Sequence, residues 1–127
     1  MFYLKESNMK KVTKEQLKDT ILNGEDISKV DYSEITDISF MFNGCKNLKE
    51  IPHLDTSKVT DMSSMFYGCT NLKEIPHLDT SNVTDIYEMF SGCINLEYLK
   101  CPEDFNSRYF SKEQNPLIYK NYLEMFL

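Results

Sequence analysis

The chain has 127 residues, enough for one domain with a modest core. Its composition, 41% hydrophobic and 27% charged, is typical of a soluble globular protein. The net charge of -6 and the pI of about 4.9 argue against nucleic acid or an anionic membrane surface as the main partner. An acidic surface suits a basic protein partner, although solubility alone explains the charge more simply.

The N-terminal segment does not have the pattern of a secretory signal. Its apolar start runs only from Met1 to Leu4 before Lys5 and Glu6 interrupt it, whereas a signal needs a longer apolar region after its positive charges. No run approaches the ~20 apolar residues of a membrane-spanning helix. The sequence therefore predicts a cytoplasmic location by default, with no insertion into a membrane.

An N-terminal helix is predicted for the segment TKEQLKDTILNG, residues 13–24. Thr13 and Gln16 make a capping box, in which each side chain satisfies a backbone N–H that the helix leaves unpaired. Leu17 and Ile21 lie four residues apart and share a face. The final glycine can take the left-handed conformation that ends a helix. We expect this helix to cover the end of a repeat array, whose core otherwise faces water.

A period of 24 residues organises the middle of the chain. The segment KNLKEIPHLDTSKVTDMSSMFYGC, residues 46–69, returns as TNLKEIPHLDTSNVTDIYEMFSGC, residues 70–93. A partial copy, ISKVDYSEITDISFMFNGC, precedes both at residues 27–45. Repetition at a period of this size indicates a repeat architecture.

Each unit combines two patterns. Val59, Met62, Phe66 and Cys69 are spaced 3, 4 and 3 residues apart, which is the pattern of one helical face, so we predict a short helix there. The Met-Phe pair of each unit is accordingly predicted to be core. The other part, NLKEIPHLD, contains Pro52 and is too short for a helix, so we predict a short strand or extended turn.

After residue 93 the repeat decays. The segment NPLIYKNYLEMFL, residues 115–127, is predicted to be a final helix, with Asn115 as its cap and Pro116 at its first position. Its aromatic and aliphatic side chains would cover the last repeat. The predicted organisation is a single domain with three parts: an N-terminal helical cap (1–24), the repeats (25–101) and an aromatic-rich C-terminal helical cap (102–127).

Two segments, DTSKVTDMSSMFYGCTNLKEI and DTSNVTDIYEMFSGCINLEYL, resemble the repeat unit of the BspA-like leucine-rich repeat family. The Asp-Thr-Ser, Thr-Asp, Met-Phe and Gly-Cys elements of that unit fall in order, and the resemblance covers residues 25–101. It implies an α/β repeat fold: a short right-handed leucine-rich-repeat solenoid with strands on its concave side. Members of that family are typically bacterial surface proteins in adhesion or partner binding, which implies a location at the cell surface.

Several polar residues recur at equivalent positions of successive units, and we call each such set a column. These columns are predicted to be structural and not catalytic or metal-binding. His53 and His77 are equivalent and each lies two residues before an aspartate, so stacked imidazoles and carboxylates could bind zinc. Two copies of one surface residue explain the pair more simply, and we predict no metal. Asp31, Asp55 and Asp79 are predicted to cap helices and turns, since no unit has the dense oxygen pattern of a calcium loop.

Two further columns are also predicted to be structural. One consists of asparagines that we expect to bond backbone groups of adjacent units: Asn47, Asn71 and Asn95. The other consists of cysteines that we expect to form a buried ladder of free thiols: Cys45, Cys69 and Cys93. A nucleophilic cysteine needs a neighbouring base or positive charge, and no phosphate loop, Ser/His/Asp order or Cys-x-x-Cys pair is visible. The sequence therefore predicts a protein that is not an enzyme and has no cofactor.

The predicted function is the binding of another protein on the strand-bearing face, because strands hold a rigid row of outward side chains. The candidate contacts of that face are Lys49, Glu50, Pro52, His53, Lys73, Glu74, Pro76, His77, Tyr98 and Lys100. Two alternatives stay open. A surface adhesin follows from the family resemblance, and a small acidic inhibitor or immunity protein of a basic enzyme suits the size and charge. We expect the protein to be a monomer.

Overall fold

The computed structural model describes residues 9–76 and 78–96, and the backbone of residues 98–99. In chain order, its elements are strand β1 (Lys10–Lys11), helix α1 (Lys14–Leu22), a 3₁₀ helix (Ile27–Lys29), and strands β2 (Val30–Asp31), β3 (Glu74–Ile75) and β4 (Tyr98–Leu99). No helix in this part of the chain is long and apolar enough to cross a membrane.

The predicted N-terminal helix is confirmed as α1. The Thr13 hydroxyl accepts a hydrogen bond from the Gln16 N–H at 3.2 Å, and the Gln16 side chain accepts one from the Thr13 N–H at 3.0 Å, as a capping box requires. Leu17 and Ile21 are buried and belong to the same hydrophobic cluster as the repeats. The apolar face of α1 therefore contributes directly to the core of the repeated region.

Consecutive units lie side by side in parallel register. Strand β1 pairs with β2, and β3 pairs with β4. Isolated bridges join Asp37 to Asp61 and Asp61 to Asp85. Four N–H groups of one unit donate to carbonyl groups of the next at 2.7–3.0 Å: Ile38 to Asp61, Phe40 to Ser63, Phe42 to Met65, and Gly44 to Tyr67. The same four bonds recur one unit later, from residues 62, 64, 66 and 68.

The helix predicted across residues 59–69 is wrong, because these residues form successive turns. Every second N–H leaves the unit for its neighbour, as the Phe66 N–H does toward the Met89 carbonyl at 2.9 Å. An α-helix needs those donors for its own i to i−4 bonds. The intervening N–H groups close turns three residues back, as from Cys69 to Phe66 at 3.0 Å. A run of turns thus produces the 3-4-3 apolar spacing.

The apolar stripe is nevertheless the core, as predicted. Met62, Met65 and Phe66 are fully buried. The rings of Phe42 and Phe66 stack with centroids 5.7 Å apart, and those of Phe66 and Phe90 with centroids 5.6 Å apart. Burial of one such side chain contributes about 1.5–3 kcal/mol. The aromatic column therefore ties three consecutive units together.

The strand predicted for NLKEIPHLD is confirmed in part. In the second copy it is β3, and in the first copy the Lys49 carbonyl accepts a hydrogen bond from the Lys73 N–H at 3.2 Å. Ile51 and Leu54 point into the core. The name of a right-handed leucine-rich-repeat solenoid, and the three-part division of the chain, stay predictions. The predicted C-terminal helix lies outside the described residues.

Candidate functional site

The predicted contact residues of the two complete copies form one exposed row. Most of them are exposed and Pro76 is half-buried: Lys49, Glu50, Pro52, His53, Lys73, Glu74 and Pro76. The Lys73-to-Lys49 backbone bond sets one unit beside the next. Equivalent residues of the two units are therefore neighbours, at the spacing of about 4.8 Å that separates parallel strands. We call these seven residues the strand row.

The strand row continues toward the third unit. Glu74 pairs with Tyr98 in the parallel register of β3 and β4, so the backbone of Tyr98 lies next to the row. The Tyr98 side chain is not among the described parts of the structure. His77 and Lys100, the remaining predicted contacts, lie outside the described residues. Their place in the row stays a prediction.

Charges in the strand row stand in columns of one sign. Lys49 and Lys73 form one column, and Glu50 and Glu74 form the other. The ion pairs seen in the described part of the chain join Lys11 to Glu34 at 2.9 Å and Lys14 to Asp37 at 3.9 Å, and neither involves the row. The row therefore presents two lysines and two glutamates to solvent on a backbone that neighbouring units hold in place.

The prediction that asparagine side chains bond backbone groups of adjacent units is confirmed for Asn71 and Asn95. The Asn71 amide donates to the Lys46 carbonyl, and the Asn95 amide donates to the Thr70 carbonyl, both at 2.7 Å. The equivalent partner of Asn47 would be a residue of α1 rather than of a repeat unit. The column thus satisfies backbone carbonyls of the preceding turn and is a structural feature of the repeat.

The aspartate column of Asp31, Asp55 and Asp79 caps turns, as predicted. It caps no helix in the described part of the repeat. Asp31 accepts hydrogen bonds from the Ser33 N–H at 2.9 Å and from its hydroxyl at 2.6 Å. Asp55 accepts the same pair from Ser57 at 3.1 and 2.7 Å. Hydrogen bonds from these serine side chains and N–H groups lower the pKa values of both carboxyl groups. The Asp79 carboxylate accepts the same pair from its own serine two residues on.

The repeat cysteines are free thiols, as predicted. The Sγ atoms of Cys69 and Cys93 each donate to a phenylalanine carbonyl of the preceding unit at 3.0 Å. Burial raises the pKa of Cys69 to about 11 and that of Cys93 to about 12, opposite to the shift that activates a nucleophile. The prediction that all three are buried is wrong for Cys45, which is half-buried because α1, not another repeat unit, precedes it.

The zinc alternative is not decided by the described residues. They contain no group of three His, Cys, Asp or Glu side chains that could hold a metal ion. His53 is exposed, and His77, its partner in that alternative, lies outside the described part of the chain. The preference for a surface residue over a metal ligand stays a prediction.

A cleft that the sequence analysis missed lies beside the first half-unit. Its volume is about 430 Å³. We call it the N-terminal cleft and define it by the residues that give it its character: apolar Ile27, Val30, Tyr32 and Ile35, and polar Asp26, Asp31, His53, Asp55 and Lys58. Of the strand row, His53 alone lines it.

One substitution in the repeat could have indicated the N-terminal cleft. Tyr32 stands 24 residues before Thr56 and so replaces a threonine of the repeat. Thr56 is buried and its hydroxyl donates to the Asp79 carbonyl at 2.8 Å. The Tyr32 hydroxyl also reaches the next unit, but there it accepts a hydrogen bond, from the Asp55 N–H at 3.0 Å. Tyr32, the exception to the repeat at this position, lines the N-terminal cleft.

Comparisons with known proteins add a family but no function. A family model described as "Mycoplasma protein of unknown function, DUF285" matches residues 7–110 of the 127-residue chain. The match spans α1, all three copies of the repeat and both strand pairs. No curated protein and no solved structure matches the chain.

Proposed function

The chain belongs to the family of Mycoplasma proteins of unknown function DUF285, and we propose that it is a non-catalytic protein-binding module whose contact surface is the strand row. We propose further that its units are BspA-like leucine-rich repeats stacked into a short right-handed solenoid. The 24-residue period and the parallel hydrogen bonds between units support this assignment. The capture of another protein is then the activity that the surface supports best.

The observation that carries the proposal is a set of exposed charged side chains on a backbone that hydrogen bonds hold in register between units. Lys49 and Lys73 are exposed, and the backbone bond between them holds their units in register. Ile51 and Ile75, which follow within two residues, are buried in the core. Because the backbone of this surface is already ordered, its ordering adds little to the entropic cost of binding a partner.

Mixed charge favours a protein partner over a polyanion. Because lysine and glutamate columns run side by side, a nucleic acid would meet repulsion from Glu50 and Glu74 at the same place that Lys49 and Lys73 attract it. A folded protein can present complementary charges in register with both columns. Tyr98, whose backbone adjoins Glu74, is the proposed aromatic anchor, since aromatic residues dominate interface energetics.

The catalytic alternative has little support among the described residues. The buried cysteines have raised pKa values, and the carboxylates with lowered pKa values accept hydrogen bonds from their own serines. A general acid or base needs a pKa near the working pH. These groups are therefore better suited to hold the units together than to react.

The experiment uses matched double variants as bait. The purified protein is immobilised and exposed to a lysate of the organism that encodes it, and retained proteins are quantified by mass spectrometry. The test variant is Lys49→Ala/Lys73→Ala. The control is Lys10→Ala/Lys29→Ala, which removes the same charge from two exposed lysines outside the row. Each exposed substitution should change stability by about 0.5 kcal/mol or less, which melting curves will verify.

We expect a defined set of proteins to be retained by the wild type and the control, and to be lost with the test variant. If the test and control variants lose the retained proteins equally, the interaction depends on the overall charge of the protein and not on the strand row. Retention of nothing above an empty matrix would remove the support for a binding module.

A further inference from the structure

The N-terminal cleft carries more negative than positive charge. Asp26, Asp31 and Asp55 line it, and Lys58 is the lysine among its lining residues. The three carboxylates and the one ammonium group together carry a net charge of -2. Two further lysines act from outside: Lys29 on Asp26, and Lys11, already paired with Glu34, on Asp31.

The carboxylates of the cleft keep acceptor capacity for a further cation. An ionised carboxylate offers about four lone-pair sites on two oxygens. In Asp31 and Asp55, the serine N–H and hydroxyl both bond the same oxygen, Oδ1. The hydrogen bonds from Ser33 and Ser57 lower the pKa of these carboxyl groups most, and the charge of Lys58 lowers it further, but within the described structure Lys58 forms no ion pair with either.

The apolar side of the cleft suits a hydrocarbon stem. Ile27, Val30, Tyr32 and Ile35 are half-buried and pack against the core cluster, so each keeps part of its surface exposed to the cleft. Lysine and arginine side chains bury their methylene stems on apolar surfaces while the charged end stays with polar groups. A cleft lined by both apolar side chains and carboxylates meets the two needs of such a side chain.

We propose that the N-terminal cleft binds a lysine or arginine side chain presented by an exposed segment of a partner protein. The stem lies along the apolar residues, and the cation is held between Asp31 and Asp55. Charge complementarity is the basis for this choice of occupant, because an anionic or purely apolar group would leave the carboxylates repelled or desolvated without a partner. The N-terminal cleft shares His53 with the strand row, but the proposal does not require that row to bind anything.

The test measures binding of pentalysine to the ¹⁵N-labelled protein by NMR at physiological salt. The test variant Asp31→Asn/Asp55→Asn keeps an oxygen that can accept the serine hydrogen bonds and removes two charges. The control Asp61→Asn/Asp85→Asn removes two charges from a second column of aspartates that also cap turns, at 2.9 Å from the N–H groups of Ser63 and Tyr87, outside the cleft. A matched melting curve establishes that each variant is folded.

We expect saturable shifts centred on Tyr32 and His53, about tenfold weaker binding in the test variant, and less than about twofold change in the control. Pentaornithine, whose side chains are one methylene shorter at equal charge, should bind about fourfold more weakly if one stem is buried. Equal weakening in both double variants would show that net charge alone attracts the peptide and would overturn the proposal. Equal affinity for the two peptides, or shifts centred elsewhere, would do the same.

Discussion

Glycines stack on glycines through the units, and replacing each by alanine gives an internally controlled test of how tightly the units pack. Gly44, Gly68 and Gly92 have φ values of +73°, +72° and +80°, in the left-handed region where a Cβ costs about 1–2 kcal/mol. This strain is common to all three substitutions. Their surroundings differ, because each glycine faces the unit before it and Gly44 has no complete unit before it.

The three sites differ in how closely the Cβ of an added alanine would approach other atoms. At Gly44 it would meet nothing within 4 Å, and at Gly68 it would lie 3.8 Å from the Gly44 Cα, an ordinary contact. At Gly92 it would lie 3.3 Å from the Cα and 3.4 Å from the N of Gly68. Those atoms belong to the backbone and cannot rotate away, so overpacking adds about 1–3 kcal/mol. We expect Gly44→Ala and Gly68→Ala to cost about 1–2 kcal/mol and Gly92→Ala about 2–5 kcal/mol.

The assay is urea unfolding followed by tyrosine fluorescence, since the chain has eight tyrosines and no tryptophan. The free energy of unfolding is compared among the three variants at constant slope, which ensures that the same structure is lost. If Gly92→Ala destabilises the protein no more than Gly44→Ala does, the close approach of the units is not a feature of the folded protein. The glycine would then be required for its φ angle alone.

Three further predictions concern the core, the thiols and the carboxylates. Phe66→Ala, which leaves a cavity between two stacked rings, should lower the unfolding free energy by about 3–5 kcal/mol, and a loss below about 1 kcal/mol would contradict the stacked core. A thiol reagent followed by mass spectrometry should modify half-buried Cys45 faster than buried Cys69, and equal rates would contradict the difference in burial. The carboxyl groups of Asp31 and Asp55 have pKa values below their ordinary 3.8, so their stabilising effect is complete above that value and is lost as the pH falls through the lower folded-state pKa. The urea concentration at the midpoint of unfolding should therefore decrease when the pH is lowered below about 4. A urea midpoint that stays unchanged down to about pH 3 would refute this role.

Much of the fold was predictable because the repeat identifies the side chains that stack. The period of 24 residues assigns Phe42, Phe66 and Phe90 to one column, and these rings do stack. The capping box at Thr13 marked the start of α1 because both of its hydrogen bonds are local in sequence. Local patterns and exact repetition are the two signals that a single sequence carries strongly.

The conformation of the repeat unit was not predictable from the same signals. Spacings of 3, 4 and 3 are shared by a helical face and by consecutive turns that each close three residues back. A helix and a run of turns differ in which carbonyl groups accept hydrogen bonds from alternate N–H groups. Here the accepting carbonyls belong to the next unit, 23 residues away, as for the Met62 N–H and the Asp85 carbonyl. The left-handed φ of +53° at Ser64 is a consequence of that long-range pairing and has no local signature.

The candidate sites follow the same division between local and long-range causes. The strand row was predictable because exposed Lys49 and Lys73 lie between apolar residues that recur at intervals of three in both complete copies. The N-terminal cleft was not, because it depends on how the half-unit meets the first full unit through the bond from the Asp55 N–H to Tyr32. The half-unit differs from the first full unit at Tyr32, so the 24-residue pattern that the two share does not predict the contact between them.

The stacking arrangement itself restricts where function can lie. Contacts with a neighbouring unit or with their own turn occupy the ring of Phe66, the thiol of Cys69, the backbone of Gly68, the amide of Asn71 and the carboxylate of Asp55. A partner can therefore engage side chains that stacking leaves exposed, or surfaces where the repeat is interrupted. Lys49 and Lys73 belong to the first class, and Tyr32 marks the second. Variants of Lys49 and Lys73 should separate binding from stability, because their side chains take no part in the hydrogen bonds that join the units, whereas the Tyr32 hydroxyl does take part, through the Asp55 N–H.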